Sequence, residues 1–269
     1  MGGYDTLTLE TDARGVATLT LNRPDKHNAM SAGMIAELAD AARRLAADAA
    51  VRVVVLAAAG STFCAGGDLA WMRDQAAKDR QGRIEGATEL ALMLKTLDDL
   101  PKPLVGRVQG NAFGGGIGLM AVCDIVIAAE GARFALTETR LGLVPATIGP
   151  YVVRRIGEGH ARRLFLNARH FDAATAGAIG LVSAVRPAAG LDAAVEEEAL
   201  AFLDCAPGAV ASAKSLIRNL ARGAVDDPVG YSIGLLADRW ESAEGRAGIA
   251  AFLNRRPMPW ALPKDDGGD

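Results

Sequence analysis

Apolar and polar positions alternate through residues 7–21, which are rich in Thr, Val and Leu, and Ala13-Arg14-Gly15 interrupts them. A period of two broken by a turn predicts a β-hairpin. Residues 22–28 (Asn-Arg-Pro-Asp-Lys-His-Asn) combine a proline with short polar side chains and predict a loop. The period becomes helical over 31–47, with Ser31 placed to cap the first turn. Residues 51–57 form a nearly unbroken, β-branched apolar run, the pattern of a strand covered on both faces. Further strands are expected at 105–108, at 125–129 and around Phe134, with helices opening at 114–121 and 151–156 and a loop over 142–150. From Ala173 onward the pattern is mostly helical, over 173–180, 191–205, 207–222, 228–242 and 243–254. A mixed β/α half followed by a helical tail is the expected layout. The tail helices carry more apolar surface (Leu235, Leu236, Ile249, Phe252) than one domain edge needs, which predicts contacts between subunits. Residues 263–269 are acidic and glycine-bearing and are expected to be disordered.

Composition narrows the class. The chain has 269 residues, 50% of them hydrophobic and 23% charged, as expected of one large soluble α/β domain or a domain with an appendage. A chain of this length buries enough surface to do without disulfides. The formal net charge of −3 argues against a partner recognised through a phosphate backbone, so no nucleic acid is expected. Cys64, Cys123 and Cys205 are widely spaced and are expected to be reduced core thiols. His27, His160 and His170 show no arrangement with them that would make a thiol nucleophile. No metal-ligand spacing is evident, and no metal is expected. Met1 to Asp5 lead straight into the first strand, and no apolar run of membrane-spanning length occurs. A cytoplasmic protein with no membrane partner is the expectation.

Three stretches carry candidate chemistry. Ser61-Thr62-Phe63-Cys64-Ala65-Gly66-Gly67-Asp68-Leu69 follows the buried strand and runs into a helix; its small residues let a ligand approach free backbone N–H groups. Gly110-Asn111-Ala112-Phe113-Gly114-Gly115-Gly116-Ile117-Gly118 again joins a strand to a helix, with three consecutive glycines at the helix start. Either alone also reads as a tight strand-to-helix turn. A phosphate cradle of the P-loop type is excluded, because no Lys-Ser or Lys-Thr follows the glycines. The third stretch, residues 134–145, places Glu138 among apolar neighbours, where it is either a solvated surface carboxylate or a tuned acid/base. Arg140 either orients nearby groups or faces solvent.

Taken together and in this order, the stretches resemble the enoyl-CoA hydratase/isomerase (crotonase) family. The likeness extends to Asn22-Arg23-Pro24 with Asn28-Ala29, to Cys123-Asp124-Ile125, and to Phe252 with Arg255-Arg256-Pro257, so it covers almost the whole chain. It implies an α/β crotonase-type fold, a spiral of β-β-α units over 1–200 with a helical trimerisation region over 201–262. It also implies an acyl-CoA thioester as substrate, coenzyme A being part of that substrate and no separate cofactor, and assembly as a homotrimer or dimer of trimers. By the resemblance, the backbone N–H groups of Gly67 and Gly115 form an oxyanion hole and Glu138 is the acid/base. Lys26, Ala29, Ala65, Asp68 and Leu69 fall on positions lining the adenine and pantetheine path. Phe252 and Arg255 fall on positions that reach a neighbour's CoA.

The pattern also departs from the family. Typical hydratases carry a first glutamate in the helix after the glycines, and here that position is Gly118, which is expected to leave room beside the acyl group for a branch, a carboxylate or a second water. Residues 143–151 lack the usual glycine-rich run after the proline and look like the branch around methylglutaconyl-CoA hydratase. The expected function is hydration of a 2-enoyl-CoA, with a branched or carboxylated acyl group, in fatty-acid or branched-chain acid (leucine) catabolism. The alternative is a Δ3,Δ2-enoyl-CoA isomerase using one glutamate. A non-catalytic RNA-binding or structural homologue is the remaining alternative; RNA binding would need a basic helix face near residues 40–55 or in the C-terminal helices, and in the first only Arg43, Arg44 and Arg52 offer themselves.

Overall fold

The computed structural model describes residues 3–262, so the tail expected to be disordered lies outside the described residues. The hairpin forms as the alternation predicts. β1 (Leu7–Thr11) pairs antiparallel with β2 (Val16–Leu21), Leu7 opposite Leu21. The loop at 22–28 holds one 3-10 turn (Pro24–Lys26), and α1 (Ala32–Ala47) begins where Ser31 accepts a hydrogen bond from Met34 N–H.

The chain then repeats one pattern: a strand in a first sheet, a short strand in a second, then helix. β3 (Val53–Ala58) leads to β4 (Thr62–Cys64) and to α2 (Leu69–Ala77) and α3 (Arg80–Asp98). β5 (Leu104–Val108) leads to β6 (Asn111–Phe113) and α4 (Gly115–Val122). β7 (Ile125–Ala129) leads to β8 (Arg133–Ala135), a 3-10 turn (Glu138–Leu141) and α5 (Gly149–Phe165). β9 (Phe171–Asp172), α6 (Ala173–Ala178) and β10 (Ala184–Arg186) complete the spiral. The first sheet has the order β1-β2-β3-β5-β7-β10, parallel beyond the hairpin; the second has the order β4-β6-β8-β9.

The continuous apolar run of β3 has a physical cause. Leu38, Met93, Leu94 and Leu97 from α1 and α3 pack with Val54 and Leu56 on one face. Leu191, Val195 and Leu203 of α7 (Leu191–Leu203) pack with Val53, Val55 and Val105 on the other. Each such side chain contributes roughly 1.5–3 kcal/mol by leaving water. α7 thus covers the second face of the sheet.

The tail follows as α8 (Pro207–Ala221), α9 (Pro228–Glu241) and α10 (Ala243–Leu253). α8 buries no residue fully and is tied to the core through charge: Lys214 to Asp124 (2.6 Å), Arg218 to Asp99 (3.4 Å) and Arg222 to Asp98 and Asp99. α9 leaves Val229, Ile233, Leu236 and Trp240 more than half exposed, the unpaired apolar face the tail pattern predicts. Among the described residues no single helix is long and apolar enough to cross a bilayer. Cys64 and Cys123 are buried, and burial pushes both thiols up to about 12, whereas Cys205 is exposed at the end of α7 and is not a core thiol.

Candidate active site

β4 and β6 lie side by side and parallel, Cys64 opposite Ala112, so the two glycine-bearing loops leave the second sheet together. The first loop bends at Gly66 (φ +95°), where an added Cβ would come within 3.1 Å of Phe113 O and 3.9 Å of Gly115 N. Only glycine accepts both that conformation and that approach. Met30 holds the loop from the other side: its N–H donates to Gly66 O (2.8 Å) and its C=O accepts from Asp68 N–H (3.0 Å). Gly67 stands between these bonds, and its own N–H donates to no carbonyl among the described residues. In the second loop Gly114 (φ +47°) turns the chain; its N–H donates to Ala135 O, and its C=O accepts from Ile117 and Gly118 N–H as α4 begins. Gly115 is therefore the first residue of α4, where helix N–H groups have no intrahelical partner. Adjoining loops thus carry two free donors, the arrangement that meets charge developing on a carbonyl oxygen.

Glu138 reaches this place from the second sheet. β6 pairs with β8, Phe113 opposite Ala135, and the 3-10 turn after β8 brings the Glu138 carboxyl against Gly114, Oε1 lying 3.0 Å from where a Cβ on that glycine would be. The turn is pinned by Leu143 N–H donating to Glu138 O (3.0 Å) and by the Thr139 hydroxyl donating to Phe165 O (3.1 Å). Oε2 is buried and makes no hydrogen bond. Burial pushes this carboxyl above the ordinary glutamate value, and the opposing effect of its own backbone N–H is smaller. A carboxylate with one unpartnered oxygen and a raised pKa beside two N–H donors is suited to take a proton and return it.

The other sequence-expected residues divide. Ala29, Ala65 and Leu69 lie on or between the two strands of chain that frame Gly67: Ala65 N–H donates to His27 O (3.0 Å), Ala29 N–H donates to Lys26 O (3.0 Å), and Leu69 is 71% exposed. Lys26 is exposed on the 3-10 turn. Asp68, expected beside the pantetheine path, is engaged structurally. It caps α2 by accepting from Ala70 N–H (2.8 Å) and pairs with Arg23 (2.9 Å). Burial opposes its ionisation, but the Ala70 N–H and the Arg23 guanidinium outweigh that and hold it below the usual aspartate value. Phe252 and Arg255 lie on and just past α10, whose main packing partner is α9; both are exposed.

Gly118 is the clearest correction. It is buried in α4, and the space toward which a side chain would point is filled: a Cβ there would lie 3.0 Å from Ile148 Cβ and closer still to Ile148 Cγ2. The glycine leaves no open room, because Ile148 occupies it. Arg23 and Asn28, which the sequence marks only as part of the family likeness, brace the loops. Asn28 is fully buried at φ +53°, donates to Ala59 O and Thr62 O (both 2.8 Å) and accepts from Arg23 N–H. Arg23 donates to Ala29 O (2.7 Å) as well as pairing with Asp68. Only an asparagine within a short polar loop hinted at this. Of the basic face weighed for RNA, Arg52 donates to Leu203 O and Cys205 O, and the exposed Arg43 and Arg44 lie 3.8 and 3.9 Å from Asp40. Among the described residues no three His, Cys, Asp or Glu side chains gather in a way that could hold a metal ion.

Comparison with known proteins agrees with this geometry. The enoyl-CoA hydratase from Shewanella pealeana has a structure similar to this chain (TM-score 0.92, 38% identity, 96% of each chain covered). So does AtuE of Pseudomonas aeruginosa (TM-score 0.92, 38% identity, 96% of this chain and 100% of that one). A Thermus thermophilus protein provisionally named an enoyl-CoA hydratase is 35% identical over 246 residues, 90% of this chain and 96% of its own. The profile of the enoyl-CoA hydratase/isomerase family matches residues 11–263, and the chain belongs to that family.

Proposed function

We propose that the protein hydrates a 2-enoyl-CoA thioester. The observation that carries this reading is the partly buried Glu138 carboxylate, its Oε2 without a hydrogen bond, against the glycine turn that presents the Gly115 N–H. The thioester oxygen sits between the Gly67 and Gly115 N–H groups. Glu138 takes a proton from water as the water oxygen bonds to C3, the C2=C3 pair shifts to leave an enolate on the thioester, and Glu138 then delivers the proton to C2. One water is consumed, and the enzyme returns to its starting state. Preorganised donors of this kind are worth about 10²–10³ in rate each, and the acid/base about 10²–10⁴.

A second reading has its own support. Isomerisation of a 3-enoyl-CoA needs one carboxylate and no water, and Gly118 offers no second carboxylate. Several finer features belong to the proposal: a branched or carboxylated acyl group, a place in fatty-acid or branched-chain acid catabolism, a cytoplasmic trimer or hexamer, and no separate cofactor. Arg140 supports the carboxylated group, being exposed two residues from Glu138 with no ion pair among the described residues. The exposed apolar face of α9, with Phe252 and Leu253 of α10, supports assembly. The test is incubation of the purified protein with crotonyl-CoA and with a 3-enoyl-CoA, with product identification by mass spectrometry. A 3-hydroxyacyl-CoA from the first confirms hydration; a 2-enoyl-CoA from the second, with no hydrated product from either, overturns it in favour of isomerisation.

A further inference from the structure

At the β9 edge of the second sheet lies a cavity of about 170 Å³ whose walls gather positive charge. Arg133 comes from β8, His160 and Arg163 from α5, and Arg169 and His170 from the segment that runs into β9. Leu164 and Phe171 supply its buried apolar lining. One carboxylate, Asp172, stands among these groups. It caps α6 by accepting from Thr175 N–H (2.9 Å) and lies 3.7 Å from Arg133. Arg163 and Arg169 are exposed and make no side-chain hydrogen bond or ion pair among the described residues.

This gathering runs against the composition. The chain has more carboxylates than Lys and Arg, 32 against 29, yet the cavity holds three guanidinium groups to one carboxylate. Like charges around one small cavity are too close for salt to screen fully, and they repel unless something negative lies between them. The segment carrying Arg169 is also fixed at its centre. Ala168 is fully buried at φ +50°, a conformation that a residue with a Cβ keeps only where its surroundings impose it. Beside it, Arg169 N–H donates to Asn167 Oδ1 (2.9 Å). A guanidinium fork matches an oxyanion through two parallel hydrogen bonds, and two forks here have no other partner.

We infer that this cavity is a binding site for a phosphate-class dianion, either free phosphate or the phosphate of a small monoester. Its size admits such a group with a little water and excludes a CoA thioester. Its position separates it from the expected substrate path, because the Gly67 loop leaves β4, the opposite edge of the same sheet. Gly67, Gly115 and Glu138 are not among its walls. The site nonetheless backs onto both catalytic elements reached from this side. The His170 ring meets Phe113 edge to face, centroids 5.5 Å apart, next to Gly114. Phe165 C=O, beside Leu164, accepts from the Thr139 hydroxyl in the turn that carries Glu138.

Calorimetric titration of the purified protein with inorganic phosphate tests the site, at constant ionic strength and with free coenzyme A present at saturation. One phosphate per chain is expected to bind. Arg163→Ser with Arg169→Gln should weaken that binding at least about tenfold, the scale of one lost charge-assisted hydrogen bond. Arg43→Ser, which removes an exposed arginine of α1 outside the cavity, should leave it unchanged. Melting curves give a second readout. Without phosphate the double variant should melt no lower than the wild type, because it removes like charges. In phosphate it should melt lower, because only the wild type gains the stabilisation of a bound ligand. Glycerol 3-phosphate in place of phosphate distinguishes the two sources, the tighter ligand being the form the site takes. Binding of neither, or equal weakening by Arg43→Ser, overturns the site in favour of adsorption to surface charge. Phosphate that binds without coenzyme A and is displaced by it lies on the substrate path, which overturns a separate site.

Discussion

Replacing Glu138 by Gln should cost activity and gain stability, and the pairing of the two is what makes the experiment decisive. Gln keeps the shape of the side chain and removes both the charge and the base. Turnover on a 2-enoyl-CoA should fall by about 10²–10⁴, the usual contribution of a positioned acid/base. Stability follows from the same geometry. Oε2 is buried without a partner, and an unsatisfied buried polar group costs about 1–3 kcal/mol, more when charged. Glu138 is only partly buried and Gln leaves one polar atom in the same place, so a gain near the low end, about 1 kcal/mol, is expected. In a chain of this size that is a Tm rise of roughly 2–4 °C at neutral pH. The sign with pH is fixed by the direction of the shift. The folded state binds the Glu138 proton more tightly than the unfolded state does, so wild-type stability falls as pH rises from the ordinary glutamate value through the raised one, and then levels. The variant lacks this step, so its Tm advantage should be present at neutral pH and vanish below the ordinary glutamate value. Melting curves at both pH values, with initial rates at neutral pH, give the whole test. Activity within a few-fold of wild type would remove Glu138 from the mechanism, and a stability loss of equal size at both pH values would refute the unpartnered carboxylate.

Other expected outcomes are shorter to state. Gly115→Pro removes one donor N–H, while Gly115→Ala keeps it and crowds Met30 in the same way, so the proline variant should be slower than the alanine variant by about 10² in initial-rate assays. The acid limb of kcat/KM for the wild type should lie above the ordinary glutamate value, because burial raises Glu138 and the base works only when ionised; a limb at the ordinary value would contradict the burial. Arg23→Met and Asp68→Asn should show a coupling of roughly 0.5–3 kcal/mol in a denaturation cycle, since the pair is mostly shielded and joins the two chain segments that frame Gly67. Deleting residues 225–269 should convert an oligomer into a smaller species and weaken acyl-CoA binding, measured by light scattering and calorimetry; a full-length monomer at micromolar concentration would contradict the assembly.

How much of this was legible in the chain depended on length and on whether a feature repeats. The hairpin, α1 and β3 declared themselves because each sustains one pattern, a period or an unbroken apolar run, over five residues or more, and Ser31 marked the start of α1 within one position. Of the second sheet only β8, expected around Phe134, was legible; β4 and β6 are three residues long and β9 is two, too short to show a period of two. Yet that sheet aligns the site: its pairings Cys64–Ala112 and Phe113–Ala135 bring Gly67, Gly115 and Glu138 together. The glycines were visible as unusual residues, the sheet only as the short strand at Phe134. β10 likewise returns to the edge of the large sheet from within a stretch whose pattern is otherwise helical.

Gly118 shows a different kind of illegibility. Read along the chain, a glycine where related enzymes carry a glutamate signifies an empty place, and emptiness invites a larger substrate. In the folded protein the place is occupied from thirty residues further along, by an isoleucine in a stretch that departs from the family pattern for what then looks like an unrelated reason. The two departures are one feature. A helix glycine costs about 0.5–1 kcal/mol against alanine, and that cost is offset where a β-branched side chain packs directly onto the bare backbone. Neither half of the pair can be interpreted from its own neighbours. The volume is shared across a contact with no local period, so only the fold reveals which residue fills it.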